Sequence, residues 1–198
     1  MDLSDRSYVR IEGFRLRGFR TNVPGQVPVG VLIQGSSVGV EIVDNVIEDM
    51  GAIAPVDDDL LGRDAHGVAV YGNSADATMD TFIRGNELRA LSLGSSEAMV
   101  LNGNVSNFVV LENHVHDCDN IGIDIIGFEG TALPGAIDQA RDGVVVGNRV
   151  HDCSSAGNPP TELRLVLEVY MLMVVAIFCC PGIMSSVVIL ALRWHPST

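Results

Sequence analysis

An all-β solenoid, a right-handed parallel β-helix of about five coils ahead of a hydrophobic C-terminal tail, is the fold that this sequence predicts. Three observations carry the prediction. A strand-like phrase recurs, as Gly30-Val-Leu-Ile-Gln-Gly35, Gly67-Val-Ala-Val-Tyr-Gly72, Ala98-Met-Val-Leu-Asn-Gly103 and Gly122-Ile-Asp-Ile-Ile-Gly127. A second phrase follows each copy and centres on Asn45, Asn86, Asn113 and Asn148. The stretches between copies, residues 51–66 and 128–142, are rich in Gly, Pro, Asp and Ala, as insertions on one face of a solenoid would be.

Taken in order, the elements support one template. The opening copy, Ile11-Glu-Gly-Phe14-Arg-Leu16-Arg-Gly-Phe19, sets Phe14 at the Asn position. Ile42, Ile83, Val110 and Val145 stand three residues before each Asn, and Ile47, Leu88, Val115 and Val150 stand two after. Five after come Met50, Leu91, Cys118 and Cys153. Alternating apolar residues give each strand one inward face, and parallel stacking of equivalent strands would enclose a narrow core. Asn suits a sharp corner because it tolerates left-handed backbone and its amide can bond neighbouring backbone. Stacked on successive turns, the Asn side chains are also placed to bond one another in a ladder. Residues 1–158 are therefore read as β-helix repeats and 159–198 as a separate tail.

Composition narrows the function. The chain has 12 Arg and no Lys against 25 acidic residues, for a formal charge of −13. Without a basic stripe to neutralise phosphates, nucleic acid is excluded as a partner. An acidic protein needs a bridging cation or local Arg to hold an anionic polysaccharide. Aromatics are scarce, at 5%, which argues against a broad sugar-stacking platform. Cys118 and Cys153 share an inward template position and read as stacked core residues, with a disulfide possible in a secreted setting.

The two ends are read as those of a fragment. Residues 1–10 are polar and carry no signal peptide, and the chain enters a strand almost at once. Residues 169–192 carry no charge and are long enough to span a bilayer as one transmembrane helix. The genetic code offers a different reading, a frameshift near Pro159 and Pro160. In the shifted frame, codons available to residues 160–197 permit another Gly-Ile-Tyr-Val-Asp-Gly strand. They also permit another Asn with Val two residues on and Cys five residues on. On that reading Cys179 and Cys180 are artefacts of the frame, and the chain as written is expected to be inactive.

The segment Val109-Val-Leu-Glu-Asn-His-Val-His-Asp-Cys-Asp-Asn-Ile-Gly-Ile-Asp-Ile-Ile-Gly-Phe-Glu-Gly130 resembles the right-handed parallel β-helix proteins of the pectate-lyase-like superfold. Its nearest flavour is the secreted bacterial group that includes the family 9 polysaccharide lyases, and the likeness covers roughly residues 7–158. This superfold hosts lyases, hydrolases, epimerases and surface proteins, so the resemblance speaks for fold more than chemistry. It implies an extracellular protein acting on acidic polysaccharide, with the first strand of each coil forming the substrate groove.

The outward positions of that strand form two rows: Leu32, Ala69, Val100, Asp124, and then Gln34, Tyr71, Asn102, Ile126. Gln34, Tyr71 and Asn102 are the expected substrate contacts. Asp124 is a carboxylate on an otherwise apolar strand, and Glu129, Asp138, Arg141 and Asp142 follow on the next loop. Hard oxygen donors of this kind suit Ca²⁺. A cation held by Asp124, Glu129, Asp138 and Asp142 would acidify the α-proton of a uronate, and a base would complete β-elimination. Family 9 lyases are understood to use a lysine base, which this chain lacks. Arg141, or Arg84, is the remaining candidate, although Arg surrenders a proton only when stripped of solvent. The paired-Asp and Gly-His-Gly motifs of β-helix galacturonan hydrolases are absent. Asp57, Asp58 and Asp59, with Asp64 and His66, suggest a second calcium loop without EF-hand spacing. The repeated His116-Asp117-Cys118 and His151-Asp152-Cys153 pieces put Cys inward and His outward, which argues against a joint zinc set. Two further readings remain open: a non-catalytic binding protein of the same fold, and a tail-anchored membrane protein.

Overall fold

The computed structural model describes residues 1–54, 63–156 and 158, and among these the protein is all β, without a helix. The strands in chain order are β1 (Arg10–Glu12), β2 (Arg15–Arg17), β3 (Arg20–Thr21), β4 (Val29–Gln34) and β5 (Glu41–Val43). They continue with β6 (Val46–Ala52), β7 (His66–Gly72), β8 (Thr78–Arg84), β9 (Glu87–Ser92) and β10 (Glu97–Gly103). The last are β11 (Val105–Leu111), β12 (His114–Cys118), β13 (Ile121–Ile126), β14 (Val144–Val146) and β15 (Arg149–Cys153).

They sort into three sheets. The first has the order β13-β10-β7-β4, the second β1-β5-β8-β11-β14, and the third β15-β12-β9-β6-β2 with β3 also on β6. The chain visits these sheets in rotation, and every strand pairing is parallel. Each circuit lays a new strand beside the one before, the arrangement expected of a parallel β-solenoid. The opening copy joins in the anticipated register, with Ile11 on Ile42 and Leu16 on Ile47.

One apolar column fills the interior. Val31, Val68 and Met99 from the first sheet, Ile42, Ile83 and Val110 from the second, and Ile47, Leu88 and Val115 from the third are all fully buried. Each such side chain contributes roughly 1.5–3 kcal/mol on removal from water. Met50, Leu91 and Cys118 also point inward. Cys118 and Cys153 are in register on adjacent strands and are free thiols.

The Asn positions form a ladder at the corner between the second and third sheets. Asn86 Nδ2 donates to Asn113 Oδ1 at 2.9 Å and to the Ile42 carbonyl at 2.8 Å, while its own Oδ1 accepts from Asn45 N and Nδ2, both at 3.0 Å. Asn113 repeats the pattern onto Asn148, and the Phe14 N–H caps the ladder on Asn45 Oδ1 at 3.0 Å. The left-handed residue, however, is not the Asn. It is the residue before it: Asp44, Gly85, Glu112 and Gly147, with φ of 51°, 66°, 53° and 69°. The corner turns at that residue, and Asn is selected by its amide, which satisfies buried backbone groups that the turn leaves without ladder partners.

The Asp57–Asp59 run and the tail 159–198, including the apolar stretch 169–192, lie outside the described residues. Among the described residues no helix is long and apolar enough to cross a membrane.

Candidate functional site on the outer face of the first sheet

Parallel register puts Leu32, Ala69, Val100 and Asp124 in one row, and Gln34, Tyr71, Asn102 and Ile126 in the next. A third row lies just upstream, where Val29 pairs with His66 and Glu97 pairs with Ile121. This row reaches the outer face because alternation fails at one step. Val68 belongs to the core cluster, yet a Cβ on Gly67 would also point inward, 2.8 Å from Leu88 Cδ2 and 3.1 Å from Leu91 Cδ1. Two successive inward residues return His66 to the side of Tyr71. Only a residue without a side chain fits where Gly67 sits.

His66 is therefore held from both ends. Its Nδ1 lies 3.0 Å from the Glu97 carbonyl oxygen and its Nε2 lies 2.9 Å from Tyr71 Oη. The backbone carbonyl can only accept, so Nδ1 carries the proton and Nε2 accepts from the tyrosine hydroxyl. Burial lowers the His66 pKa, partly opposed by the Glu97 carbonyl and the Asp64 carboxylate, which keeps the ring neutral at neutral pH. Burial likewise pushes Tyr71 up to about 12, helped by Glu97, Asp64 and Glu129.

Carboxylates crowd this pair. Glu97 Oε2 lies 3.7 Å from His66 Nδ1, with the Glu97 side chain 15% exposed. Burial first, then Asp124, Glu129 and Asp64, push Glu97 up to about 7. Asp124 is raised as well, by burial and by Glu129. Glu129 Oε2 accepts from Asn102 Nδ2 at 2.9 Å. Asn102 is buried, and its Oδ1 has no hydrogen-bond partner among the described residues. Such an oxygen costs free energy until a donor or a cation reaches it.

The other anticipated site residues are placed elsewhere. Gln34 lies at the far edge of the face, where its Nε2 donates to Ser4 Oγ at 2.9 Å. Asp138 is occupied by its own loop, accepting from the Gly130 N–H at 2.6 Å and the Ala132 N–H at 2.9 Å. Arg141 pairs with Ser106 of the second sheet and donates to Asn104 Oδ1 at 3.0 Å. Asp142 is exposed, with Arg141 Nε 3.9 Å away. Among the described residues, no hydrogen bond or ion pair joins Arg141 to Asp124. Arg84 faces Glu112 on the second sheet at 3.6 Å. Asp64 accepts from Ser96 Oγ at 3.1 Å, beside the cluster.

His66 and Glu97 are the residues that reading by strict alternation passes over. A buried-strand phrase preceded by His in one copy and Glu in the next was the available signal.

Comparison with known proteins adds one relative. No family model matches the chain, and no solved structure matches it. Over 130 residues the chain is 38% identical to a protein of Bacillus subtilis (strain 168) described as "Uncharacterized protein YwoF". The aligned part is 66% of this chain and 26% of that protein, so the chain spans about a quarter of its relative's length.

Proposed function

We propose that the protein is part of a right-handed, pectate-lyase-like β-helix of about five coils whose first sheet cleaves acidic polysaccharide by β-elimination in an extracellular setting. One observation carries this reading: on this sheet face Glu97 lies 3.7 Å from the His66 ring of the hydrogen-bonded Tyr71–His66 pair, with Asp124 and Glu129 near enough to raise its affinity for a proton. Carboxylates that raise one another's proton affinity are also good ligands for a hard cation, and the buried, unpartnered Asn102 oxygen adds a neutral donor. Asp124 and Glu129, with the Asn102 oxygen, are the ligands proposed for Ca²⁺, whereas Asp138 is taken up by the Gly130 and Ala132 N–H groups of its own loop. When bound, such an ion would neutralise the substrate carboxylate and acidify its α-proton.

The protein groups then divide the proton transfers. Tyr71 Oη takes the α-proton as its own proton passes to His66 Nε2, which suits a tyrosine too basic to ionise alone. Glu97, protonated about half the time near pH 7, donates to the leaving glycosidic oxygen as the C–O bond breaks and the double bond forms. The resulting imidazolium lies beside the Glu97 carboxylate. This assignment replaces Arg141 with a group that needs no deprotonated guanidinium.

The test is release of unsaturated uronides from polygalacturonate and alginate by the full chain, with Ca²⁺ and with chelator. Calcium-dependent product that falls at least ~100-fold in Tyr71→Phe supports the reading. Calcium-dependent binding of polymer without product, unchanged in that variant, would instead identify a non-catalytic binding face. Neither product nor binding overturns the proposal.

A further inference from the structure

We propose that His114, His116 and His151 form a binding site for a zinc-class divalent metal ion on the outer face of the third sheet, independent of the acidic face of the first. His114 and His116 are two residues apart on β12 and so share a face, while parallel pairing sets His116 directly beside His151 on β15. The three imidazoles each offer one nitrogen, and those nitrogens all lie within 4.8 Å of one another. His114 Nε2 and His151 Nε2 are 2.7 Å apart. The rings stack, with centroids 4.2 Å apart for His114 and His116 and 5.1 Å for His116 and His151. Zinc holds imidazole nitrogens at ~2.0–2.1 Å in a tetrahedron, which sets them about 3.3 Å from each other. The observed spacing brackets that value, so small rotations about the side-chain bonds bring the three nitrogens onto one ion.

The rings are also oriented from behind. His116 Nδ1 lies 2.7 Å from Asp117 Oδ2, and His151 Nδ1 lies 2.7 Å from Asp152 Oδ2. In His151 the carboxylate holds the proton on Nδ1 and leaves the Nε2 lone pair for a metal, the carboxylate–histidine–metal arrangement. In His116 Nε2 also faces a carboxylate, Glu87, and an arriving ion displaces the proton between them. Each aspartate is in place because its backbone is left-handed, with φ of 53° at Asp117 and 52° at Asp152. That twist turns Cys118 and Cys153 into the core while His and Asp stay outside. The repeated His-Asp-Cys sequence thus separates thiols from imidazoles. The third ligand is His114, two residues earlier.

Charge is suited to the ion as well. Glu87 Oε1 lies 3.1 Å from His116 Nε2 and is held at 2.9 Å by Arg89 Nη1. It supplies a negative charge at the edge of the site and can serve as a fourth ligand. Imidazole nitrogen donors favour zinc, copper, nickel or cobalt over calcium or magnesium. Without metal, the close His114–His151 contact is a plain imidazole hydrogen bond. These two forms separate experimentally.

Full-length apo-protein titrated with Zn²⁺ and Co²⁺ should bind one equivalent, with the cobalt form showing visible ligand-field absorption. X-ray absorption of the zinc form should count three imidazole nitrogens. His114→Gln with His151→Gln should abolish binding, and Asp117→Asn with Asp152→Asn should weaken it about 10–100-fold. Cys118→Ser with Cys153→Ser should leave it unchanged, as should His66→Gln on the other sheet. Should the histidine variants misfold, the spectra of the unmodified chain still decide. No stoichiometric binding, a shell of oxygen or sulfur ligands, or loss of binding in the cysteine variant would each overturn the proposal.

Discussion

Replacing Glu97 with Gln tests whether the crowded acidic face is held at the expense of stability. In the folded chain the Glu97 pKa stands at about 7 instead of the ordinary 4.5, so the folded form binds this proton more tightly than the unfolded form. Stability from the protonated group is therefore complete below about pH 4.5 and is lost as pH rises through about 7. A tenfold change in proton affinity is worth ~1.4 kcal/mol, so the loss between pH 4.5 and 8 is about 3 kcal/mol. The side chain is only 15% exposed, so screening by solvent takes little from this figure. Gln keeps the shape and the neutral form at every pH. Urea unfolding of the full chain, followed by circular dichroism at pH 5 and pH 8, should show Glu97→Gln gaining on the parent by up to about 3 kcal/mol at the higher pH, with little difference at the lower. Calcium should narrow the gap at pH 8, because a cation among the carboxylates relieves a repulsion on Glu97 that the Gln variant does not feel. Parallel pH profiles for the two proteins would refute the reasoning, because Glu97 would then titrate as an ordinary surface acid.

Other perturbations probe the scaffold. Asn86→Ala removes the central rung of the ladder and leaves the Ile42 carbonyl and the Asn45 N–H buried without partners; at ~1–3 kcal/mol each, the unfolding midpoint should fall by an amount equivalent to at least about 2 kcal/mol. Gly72→Ala puts a Cβ 2.2 Å from the Asn104 backbone carbon, so its soluble yield should collapse, whereas Ala in place of Gly130, where nothing lies within 4 Å but φ is 78°, should cost only the ~1–2 kcal/mol of a left-handed backbone. In peptide mapping after brief maleimide treatment of the native chain, Cys153 should label ahead of Cys118. The neighbouring Cys153 thiol, followed by burial, pushes Cys118 up, while the Cys118 thiol lowers Cys153.

The parts of the structure legible in the sequence are those fixed by repetition. Ile42, Ile83 and Val110 could be assigned inward from spacing alone, and so could the outward row ending at Asp124, because a parallel stack carries one copy's register into the next. The Asn ladder was legible for the same reason. Its backbone was not: the amide chemistry of Asn concealed that Asp44, Gly85, Glu112 and Gly147 take the left-handed turn. The sites were harder to read because each depends on a local break in the pattern. His66 reaches the first sheet's outer face because Gly67 and Val68 both turn inward, and Glu97 because Ala98 and Met99 both pack in the core, whereas alternation by itself predicts the opposite. Asp138, Arg141 and Asp142 follow Asp124 closely in sequence, but Asp138 is bound by the backbone of its own loop and Arg141 crosses to Ser106 of the second sheet, and proximity along the chain gave no hint of that.

The same geometry explains how one narrow solenoid can carry two unlike polar clusters. Residues one coil apart in sequence, such as Val100 and Asp124 or His116 and His151, become lateral neighbours in a sheet. A polar residue repeated on an outward position therefore becomes a row of like groups. Like carboxylates repel and invite a hard cation; imidazoles share protons or a softer metal. The inward positions stay apolar in both places, so the core that stabilises the coil does not depend on either cluster. Calcium should therefore act on Glu97 and leave the histidines alone, and zinc should do the reverse. If one ion shifted the spectra or stability of both faces alike, the sheets would be coupled through the core, and the separation argued from register would fail.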